Sequence, residues 1–273
     1  MADQAARPQR VLALAKLTLS LRISGRRDDG YHLVDAEMVS VDLADALFFS
    51  EGDGLEVVDA GGPLGGGVAV TGVPPGEDNL VLSALAAVGR RARVRLEKRI
   101  PAGAGLGGGS ADAAAVLRWA GISGASPDEL ALAARLGADV PFCLVGGRAR
   151  VRGIGEVLEP LAFEARVFTL LIPPFGVSTA AVYRAWDELG SSTAGRNHLE
   201  AAALSVEPRL RRWRERLGRA TGREPVLAGS GSTWFVEGSA HELGVRAGTV
   251  VEVRGQVARL LEAHTDRPSG QGG

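Results

Sequence analysis

The feature that most constrains the fold is a glycine-rich segment, Pro101–Asp112, between a predicted strand and a predicted helix. Apolar and basic residues alternate over residues 93–100, which indicates a half-buried strand, and the alanine-rich run Ser110–Trp119 indicates a helix. Five glycines lie within residues 103–109. Glycine lets the backbone approach an anion closely, and a helix N-terminus offers unpaired N–H groups. The segment therefore predicts a phosphate-binding loop; the alternative is a flexible loop or a tight turn.

Two other kinds of phosphate loop compete for this segment. A P-loop ends in Gly-Lys-Ser or Gly-Lys-Thr, and this segment does not. The Rossmann fingerprint is satisfied by Gly103, Gly105 and Gly108, with Asp128 about 20 residues further on. However, Asp128 lies in a predicted helix start, and the strand over residues 93–100 is too basic for a central parallel strand. The context therefore disfavours a Rossmann oxidoreductase, which stays an alternative.

The rest of the chain mixes strands and helices without a strict βαβ rhythm, which predicts an α+β protein. A capping box predicts a helix start at Ser126, and that helix is predicted to stop at Gly137. Asp29-Gly30 predicts a turn between two strands. Further strands are predicted at Val11–Ile23, Val34–Leu43, Ala46–Ser50, Arg166–Ile172, Val226–Ala228, Thr233–Val236 and Val250–Val253, and further helices at Asn79–Arg91, Thr179–Leu189, Glu207–Arg219 and Gln256–His264.

Length and charge limit the classes of protein. The chain has 273 residues, enough for two domains, each with its own core. Basic and acidic residues nearly cancel, 31 against 32, whereas nucleic-acid-binding proteins usually carry a basic excess. The polar N-terminus does not resemble a secretory signal, no apolar run is long enough to span a membrane, and a single cysteine fits a reducing compartment. We therefore expect a cytoplasmic protein that binds neither nucleic acid nor membrane. We also expect an exposed loop at Gly61–Gly67 and frayed ends over the first ten residues and from Thr265 onward.

The string Pro101–Ala111 resembles the second motif of the GHMP kinases, the class that includes galactokinase and the homoserine, mevalonate and phosphomevalonate kinases. The usual form of that motif is Pro-x-x-x-Gly-Leu-Gly-Ser-Ser-Ala. Here Gly108 and Gly109 lie near its serine positions, and Ser110-Ala111 follows. The Gly-Leu-Gly-Gly-Gly-Ser form is typical of those members that act on diphosphocytidyl-methylerythritol.

Several other segments are similar to the same family, and the agreement of these motifs carries the resemblance. The segments Ala15–Leu19 and Gly25–His32 look like the family's Ala-Lys-hydrophobic-Asn-Leu and Gly-x-Arg-x-Asp-Gly-Tyr-His. The segment Ala228–Thr233 is similar to the third motif. The segment Gly137–Pro141 matches the family's Gly-Ala-Asp-Val-Pro, and Val177–Tyr183 is a further match. The matches span most of the chain.

The resemblance implies a catalytic pair, with Asp139 as the base for the substrate hydroxyl and Lys16 as its partner. Lys16 would hold Asp139 ionised and offset charge on the transferring phosphoryl group. Taken alone, Lys16 is expected to be a solvent-facing strand residue, and Asp139 an ordinary residue at a helix exit. The resemblance also implies ATP and Mg2+, with Ser110 near the metal. The implied nucleotide-binding residues are Lys98, Pro101, Gly103, Gly105, Leu106, Gly107, Gly108, Gly109 and Ser110. For Lys98, the alternative is a solvated strand lysine.

The resemblance places the cytidine end of the substrate at Tyr31, His32 and Tyr183. An imidazole can read a pyrimidine edge by hydrogen bonds, and an aromatic ring can stack on the base. The alternative for each tyrosine is core packing. Thr18 replaces the family's asparagine and is predicted to contact substrate, whereas His198 departs from the family pattern and is predicted to be structural. The implied substrate-binding residues are Thr18, Tyr31, His32, Tyr183, Gly229, Ser230 and Gly231.

The resemblance further implies a two-domain α+β fold. Residues 1–155 would form an ATP-binding N-terminal domain similar to ribosomal protein S5 domain 2, and residues 156–273 a ferredoxin-like C-terminal domain with a disordered tail. The implied reaction is ATP-dependent phosphorylation of the 2-hydroxyl of diphosphocytidyl-methylerythritol, in the non-mevalonate route to isoprenoid precursors, by a monomer or homodimer. The alternatives are another GHMP kinase, acting on homoserine, mevalonate or a sugar, and a catalytically silent nucleotide-binding regulator.

Overall fold

The computed structural model describes residues 8–61, 76, 78–190 and 195–268. Within these residues, strands and helices are mixed in two separate sheets, which confirms the predicted α+β class. The first sheet contains β1 (Gln9–Arg26), β2 (His32–Ser50), β3 (Gly54–Asp59), β4 (Arg93–Lys98), β5 (Arg148–Gly153) and β6 (Val157–Pro160). The second contains β7 (Val167–Leu171), β8 (Val226–Leu227), β9 (Trp234–Glu237), β10 (Val250–Val253) and β11 (Gln256–His264). The helices are α1 (Leu80–Ala87), α2 (Gly108–Trp119), α3 (Pro127–Leu136), α4 (Val140–Val145), α5 (Thr179–Glu188), α6 (Glu200–Val206) and α7 (Leu210–Thr221).

The long hairpin of β1 and β2 organises the first sheet. Its strands pair antiparallel over nearly their whole lengths, and the N–H of Gly30 donates to the carbonyl of Arg27 in the predicted turn. β2 is continuous through the point where two separate strands were predicted. A register shift between Leu14 and Ala15 of β1 accommodates the extra residues of β2 opposite them. β2 therefore continues through the irregularity, where the sequence pattern predicted a break.

The strand before the glycine loop, β4, lies between two different partners. It pairs antiparallel with β2 and parallel with β3. Its burial alternates between exposed Arg93 and Arg95 and buried Val94 and Leu96, as predicted. The strand is therefore half-buried in a mixed sheet, unlike the central parallel strand of a Rossmann fold.

The last predicted helix is wrong, because Gln256–His264 forms strand β11. The segment pairs antiparallel with β10 on one side and with β7 on the other. Arg254 and Gly255 both have positive φ, 51° and 78°, as two-residue hairpin turns require. A short apolar run has no decisive period of its own, so the neighbouring strands decide its conformation.

The helix boundaries largely confirm the predictions. The side chain of Ser126 accepts a hydrogen bond from the N–H of Glu129 and caps α3, which ends at Gly137. Pattern reasoning did not predict two short helices, α4 and α6, or strands β3, β5 and β6. None of the helices in the described part of the chain is long and apolar enough to cross a membrane.

The two sheets share buried side chains. Leu17 and Val41 from the first sheet belong to one apolar cluster with Phe168, Leu170 and Ala263 from the second. Strand β6 pairs with β5 in the first sheet although it follows residue 155. The division into domains at that residue stays a prediction.

The C-terminal tail is more ordered than predicted as far as residue 268. The N–H of Thr265 donates to the carbonyl of Arg166 at 3.0 Å, and the N–H of Asp266 donates to the carbonyl of Ser40 at 2.9 Å. Backbone pairing with both sheets therefore corrects the frayed end predicted from Thr265 for residues 265–268. Gln9 and Arg10 pair with Phe49 and Phe48 in the β1–β2 hairpin, which corrects the frayed end predicted for these two residues. The predictions for residues 1–7, 62–67 and 269–273 lie outside the described residues.

Candidate active site

A cleft of about 910 Å3 lies between the glycine loop, the β1–β2 hairpin and helix α5. Most of the site residues predicted from the sequence line it. They are Lys16, Thr18, Tyr31, His32, Lys98, Pro101, Gly103, Gly105, Leu106, Gly107, Gly108, Gly109, Ser110, Asp139, Tyr183, Gly229 and Ser230. Gly231 is not part of the lining, but its backbone lies against Gly105 of the glycine loop.

Backbone packing explains why the loop needs glycine at two positions. A Cβ atom on Gly105 would lie 2.2 Å from the carbonyl oxygen of Ala228 and 2.8 Å from that of Gly231. A Cβ atom on Gly103 would lie 2.9 Å from the Cα of Gly176. Both glycines also have positive φ, which other residues rarely adopt. The loop therefore lies directly on backbone that leads into and out of the second sheet.

The start of α2 has the properties of an anion site. Gly107 is the N-cap residue, with a φ of 69°, and α2 begins at Gly108. Among the described residues, none accepts a hydrogen bond from the backbone N–H groups of residues 107–110. The first turn of α2 carries no acidic side chain. Unpaired N–H groups at the positive end of a helix dipole favour a phosphate, which supports the predicted phosphate loop.

Lys16 and Asp139 form an ion pair across the cleft. The Lys16 Nζ atom lies 3.3 Å from Asp139 Oδ2. Lys16 is 5 % exposed, so the solvent-facing alternative is wrong. Its stem passes so close to the loop that a Cβ atom on Gly107 would lie 2.8 Å from Lys16 Cγ. Asp139 stands at the N-cap position of α4 with a side chain that is 31 % exposed, so one carboxylate face is open to the cleft.

Thr18 supports this pair from the same strand. Lys16 Nζ donates to Thr18 Oγ1 at 3.1 Å, and Thr18 is 1 % exposed. A register shift between Thr18 and Ser20 interrupts the simple alternation of β1. The threonine hydroxyl thus provides a side-chain oxygen for the lysine at the position where the family has asparagine. Its contact with substrate stays a prediction.

Lys98 lies beneath the loop in a buried charge network. Its Nζ atom donates to Asp112 Oδ2 at 2.7 Å and to Asp45 Oδ2. Lys98 is 1 % exposed, so the solvated alternative is wrong. Asp45 Oδ1 also accepts hydrogen bonds from the N–H groups of Arg99 and, at 2.8 Å, Ile100. The network therefore joins the end of β4 to the first turns of α2. A role of Lys98 in nucleotide binding stays a prediction.

Burial and neighbouring charges act in opposite directions on the pKa values of this network, and a different one prevails at each residue. Burial raises the pKa of the Asp112 carboxyl to about 7; the charge of Lys98 opposes this shift, and Asp45 adds to it. Burial alone would lower the pKa of Lys98, but the charges of Asp112 and Asp45 outweigh it and raise that pKa above its ordinary value. Asp112 Oδ1 is buried and has no hydrogen-bond partner among the described residues.

The other end of the cleft is built from β2 and α5. The rings of His32 and Tyr183 stack with centroids 5.0 Å apart at an interplanar angle of 25°. His32 Nε2 lies 2.7 Å from Asp187 Oδ1. Burial, with a contribution from Asp139, raises the pKa of the Tyr183 phenol to about 12, so the phenol stays protonated. Tyr31 lines the same end and is 61 % exposed, which excludes the core-packing alternative for this residue.

The β8–β9 loop closes the cleft from the second sheet. Ser230 Oγ lies 2.8 Å from Thr179 Oγ1, at the start of α5. Asn197 Nδ2 donates to the carbonyls of Gly229, at 2.6 Å, and Leu227, at 2.9 Å. The first contact holds the loop against α5, and the two bonds from Asn197 hold it against the segment before α6. Direct contacts of the loop with substrate stay a prediction.

Sequence reasoning missed the charged partners of the site residues. Asp187, Asp45 and Asp112 all lie within hydrogen-bond reach of a predicted site residue. Asp187 follows Tyr183 by four positions, which places both on one helix face, and this spacing was the available signal. His198, predicted to be structural, accepts a hydrogen bond at Nδ1 from the N–H of Ile23 at 3.1 Å.

Comparisons with known proteins agree with this geometry. Residues 79–147, which include the glycine loop and Asp139, match the GHMP kinases N terminal domain. A solved structure described as the mevalonate kinase of Methanococcus jannaschii has a TM-score of 0.55 at 11 % identity, covering 96 % of this chain and 99 % of that one, and shows a shared fold alone. The family match over residues 79–147, which contain the glycine loop, identifies a GHMP kinase N-terminal domain, and the Rossmann alternative is wrong.

Proteins with higher sequence identity to this chain indicate one family within the class. The chain is 38 % identical over 248 residues to the 4-diphosphocytidyl-2-C-methyl-D-erythritol kinase of Paracoccus denitrificans, covering 83 % of this chain and 86 % of that protein. It is 39 % identical to the protein of that name from Pelotomaculum thermopropionicum, with coverages of 82 % and 87 %. A crystal structure of 4-(cytidine 5'-diphospho)-2C-methyl-D-erythritol kinase has a TM-score of 0.68 at 34 % identity, covering 94 % of this chain and 98 % of that one. The chain belongs to the family of 4-diphosphocytidyl-2-C-methyl-D-erythritol kinases.

Proposed function

We propose that this protein transfers the γ-phosphoryl group of ATP to the 2-hydroxyl of 4-diphosphocytidyl-2-C-methyl-D-erythritol, forming the 2-phosphate and ADP. The reaction is a step of the non-mevalonate route to isoprenoid precursors. The observation that carries the proposal is that the Lys16–Asp139 pair, the glycine loop and the His32–Tyr183 stack line one cleft. Family membership supports the choice of substrate.

Asp139 is the proposed general base. Its carboxylate is partly open to the cleft and is paired with Lys16, so it is placed to take the proton of a substrate hydroxyl. Lys16 keeps a positive charge beside the reacting oxygen and offsets the negative charge that develops in the transition state. Phosphoryl transfer then depends on positioning and electrostatics, with no covalent bond between enzyme and substrate.

The glycine loop is the proposed site of the ATP phosphates. The N–H groups of residues 107–110 have no acceptor among the described residues, and these residues, at the positive end of α2, line the cleft. The implied nucleotide-binding residues from Pro101 to Ser110 all lie in or beside this loop. A nucleotide held there would present its terminal phosphate to Asp139 and Lys16.

The site residues fit a magnesium ion bound together with phosphates. Within the described ranges, no group of three or more His, Cys, Asp or Glu residues forms a dedicated metal cage. Mg2+ commonly needs only one or two protein oxygens, because waters and substrate phosphates complete its shell. The Ser110 hydroxyl, in the first turn of α2, is the proposed protein ligand. A bound Mg2+ ion offsets phosphate charge.

The cytosine ring is proposed to bind at the β2–α5 end of the cleft. Tyr31 and Tyr183 offer two aromatic faces, and His32 offers ring and backbone hydrogen-bonding groups. Cys143 is buried and has no disulfide partner, which supports action in the reducing cytoplasm.

The test is an ADP-release assay of the purified chain with ATP and Mg2+. The cytidylated methylerythritol is compared with mevalonate, homoserine and galactose. Turnover confined to the cytidylated substrate is expected. Turnover on another compound alone would retain the phosphoryl-transfer chemistry and reject the substrate, whereas no turnover on any of the four would favour a nucleotide-binding regulator.

A further inference from the structure

One face of α5 holds the imidazole of His32 on three sides. Tyr183 stacks on the ring, and Trp186 meets it edge-on with centroids 5.4 Å apart. Asp187 Oδ1 lies 2.7 Å from the ring atom Nε2. These three residues are spaced i, i+3 and i+4, so they project from the same side of the helix. The His32 side chain is only 10 % exposed and is therefore fixed in one orientation.

The hydrogen bond to Asp187 determines where the ring proton lies. An ionised carboxylate is only an acceptor, so Nε2 must carry the hydrogen of that bond. The guanidinium of Arg26 lies 3.7 Å from the other carboxylate oxygen, Oδ2, so a positive charge also faces this carboxylate. In the neutral imidazole the other nitrogen, Nδ1, is then an acceptor. Among the described residues, none makes a hydrogen bond to Nδ1 of His32.

We infer that Asp187 is a positioning residue that fixes the tautomer of His32 and thereby makes the cleft select cytosine over uracil. This inference rests on the proposed function, since it concerns the pyrimidine end of the same substrate. An acceptor at Nδ1 matches the exocyclic amino group of cytosine, which is a donor. Uracil carries a carbonyl oxygen at that position, so two acceptors would face each other and one buried polar group would lose its partner.

The first test compares cytidylated and uridylated forms of the substrate at about pH 8. The wild-type protein is expected to prefer the cytidylated form by the ratio of kcat/KM values. Asp187→Ala should reduce this preference about tenfold, the discrimination expected of one hydrogen bond. The loss should appear in KM for the cytidylated substrate, with kcat and the KM for ATP nearly unchanged. An unchanged preference in Asp187→Ala would overturn the inference.

Two further variants separate positioning from a merely structural role. Asp187→Asn keeps an oxygen that accepts from Nε2–H, so it should retain most of the cytosine preference. Asp42→Ala is the matched control, because Asp42 makes a similar bond to His264 Nδ1 at 2.9 Å on an exposed surface outside the cleft. The control should leave the preference unchanged. An equal loss in Asp42→Ala and Asp187→Ala would reject a specific role for Asp187.

The tautomer itself is measured by 15N NMR of the imidazole nitrogens. In the wild-type protein, the His32 signals are expected to show a protonated Nε2 and an unprotonated Nδ1, and His32→Gln identifies these signals by their loss. In Asp187→Ala the two nitrogens should move toward averaged values. Unchanged His32 signals in Asp187→Ala would overturn the inference, even if neither assayed compound is a substrate of the protein. If the wild-type protein phosphorylates neither nucleotide form while the tautomer still shifts, the proposed function alone fails.

Discussion

Two lysines lie beside the same glycine loop, and each is paired with carboxylates, but their surroundings differ. Lys16 faces Asp139, whose side chain is partly open to the cleft. Lys98 is enclosed between Asp45 and Asp112, which are both almost fully buried. A Cβ atom on Gly107 would meet the stem of Lys16, and one on Gly108 would lie 3.2 Å from Lys98 Nζ. The loop thus runs over both charges.

The difference shows how one residue type serves two purposes at one loop. A charge removed from water must find partners within the protein. Lys98 on β4 finds one in Asp112 on α2, and Asp45 on β2 accepts from the N–H of Ile100 just after β4. The Lys16 pair keeps one open side, where a substrate can replace water. We therefore expect changes to the open pair to affect turnover and changes to the buried network to affect stability.

Asp139→Asn should produce the largest effect in the open pair. The amide keeps an oxygen for Lys16 but cannot act as a base, so kcat should fall about 10²- to 10⁴-fold. The free energy of unfolding should fall by less than the loss of about 3–5 kcal/mol expected for breaking a fully buried pair, because the Asp139 side chain is 31 % exposed although Lys16 is buried. Steady-state kinetics measure kcat, urea denaturation measures the free energy of unfolding, and an ATP titration measures nucleotide binding. Near-wild-type turnover with intact ATP binding would remove Asp139 as the base.

Asp45→Ala should produce the largest effect in the buried network. It leaves Lys98 with one carboxylate and removes the acceptor for the N–H groups of Arg99 and Ile100. The free energy of unfolding should fall by about 3–5 kcal/mol, as measured by urea denaturation. Asp53→Ala is the matched control, because it removes an exposed ion pair with Arg91, and it should leave stability nearly unchanged. Equal effects of the two variants would contradict the assigned difference.

Asp112→Asn should change how stability depends on pH. The pKa of Asp112 is raised to about 7 in the folded protein, chiefly by burial, whereas an unfolded aspartate titrates near 4. Between these values the folded state holds a proton that the unfolded state has released, so rising pH favours unfolding by up to about 1.4 kcal/mol per pH unit. As the pH rises from about 4 to 7, the variant should therefore gain stability relative to the wild type. If denaturation at several pH values shows the same pH dependence of the free energy of unfolding in the variant and the wild type, this would argue against the raised pKa of Asp112.

Thr18→Val should have the smallest effect, and it tests the support of the open pair. The substitution removes the oxygen that accepts a hydrogen bond from Lys16 and keeps a similar volume. We expect kcat to fall about tenfold, the value of one modest hydrogen bond. Thr18→Asn, which restores a side-chain acceptor, should recover much of this loss in the same kinetic assay. Full activity of the valine variant would show that Thr18 does not position Lys16.

Much of the site was predictable because its residues lie in short, dense motifs. Residues 103–110 predicted the anion loop from glycine content and helix start alone, and the structure brings Lys16 and Asp139 together beside it as the family resemblance implied. Asp187 was missed because an aspartate on an amphipathic helix is ordinarily a solvated surface residue. Only its contact with His32, 155 positions earlier in the chain, distinguishes it.

The sequence by itself determined the class of protein, through its resemblance to a known family. It also determined most local turns and caps, because these depend on glycine, capping residues and short-range periodicity. Tertiary structure decided which charges are buried, which lysine faces the cleft and that Gln256–His264 is a strand. These outcomes depend on partners far away in sequence: Asp45 for Lys98, Asp139 for Lys16, and β7 and β10 for the last strand. Burial and hydrogen-bond satisfaction are properties of the assembled chain, and no local pattern contains them.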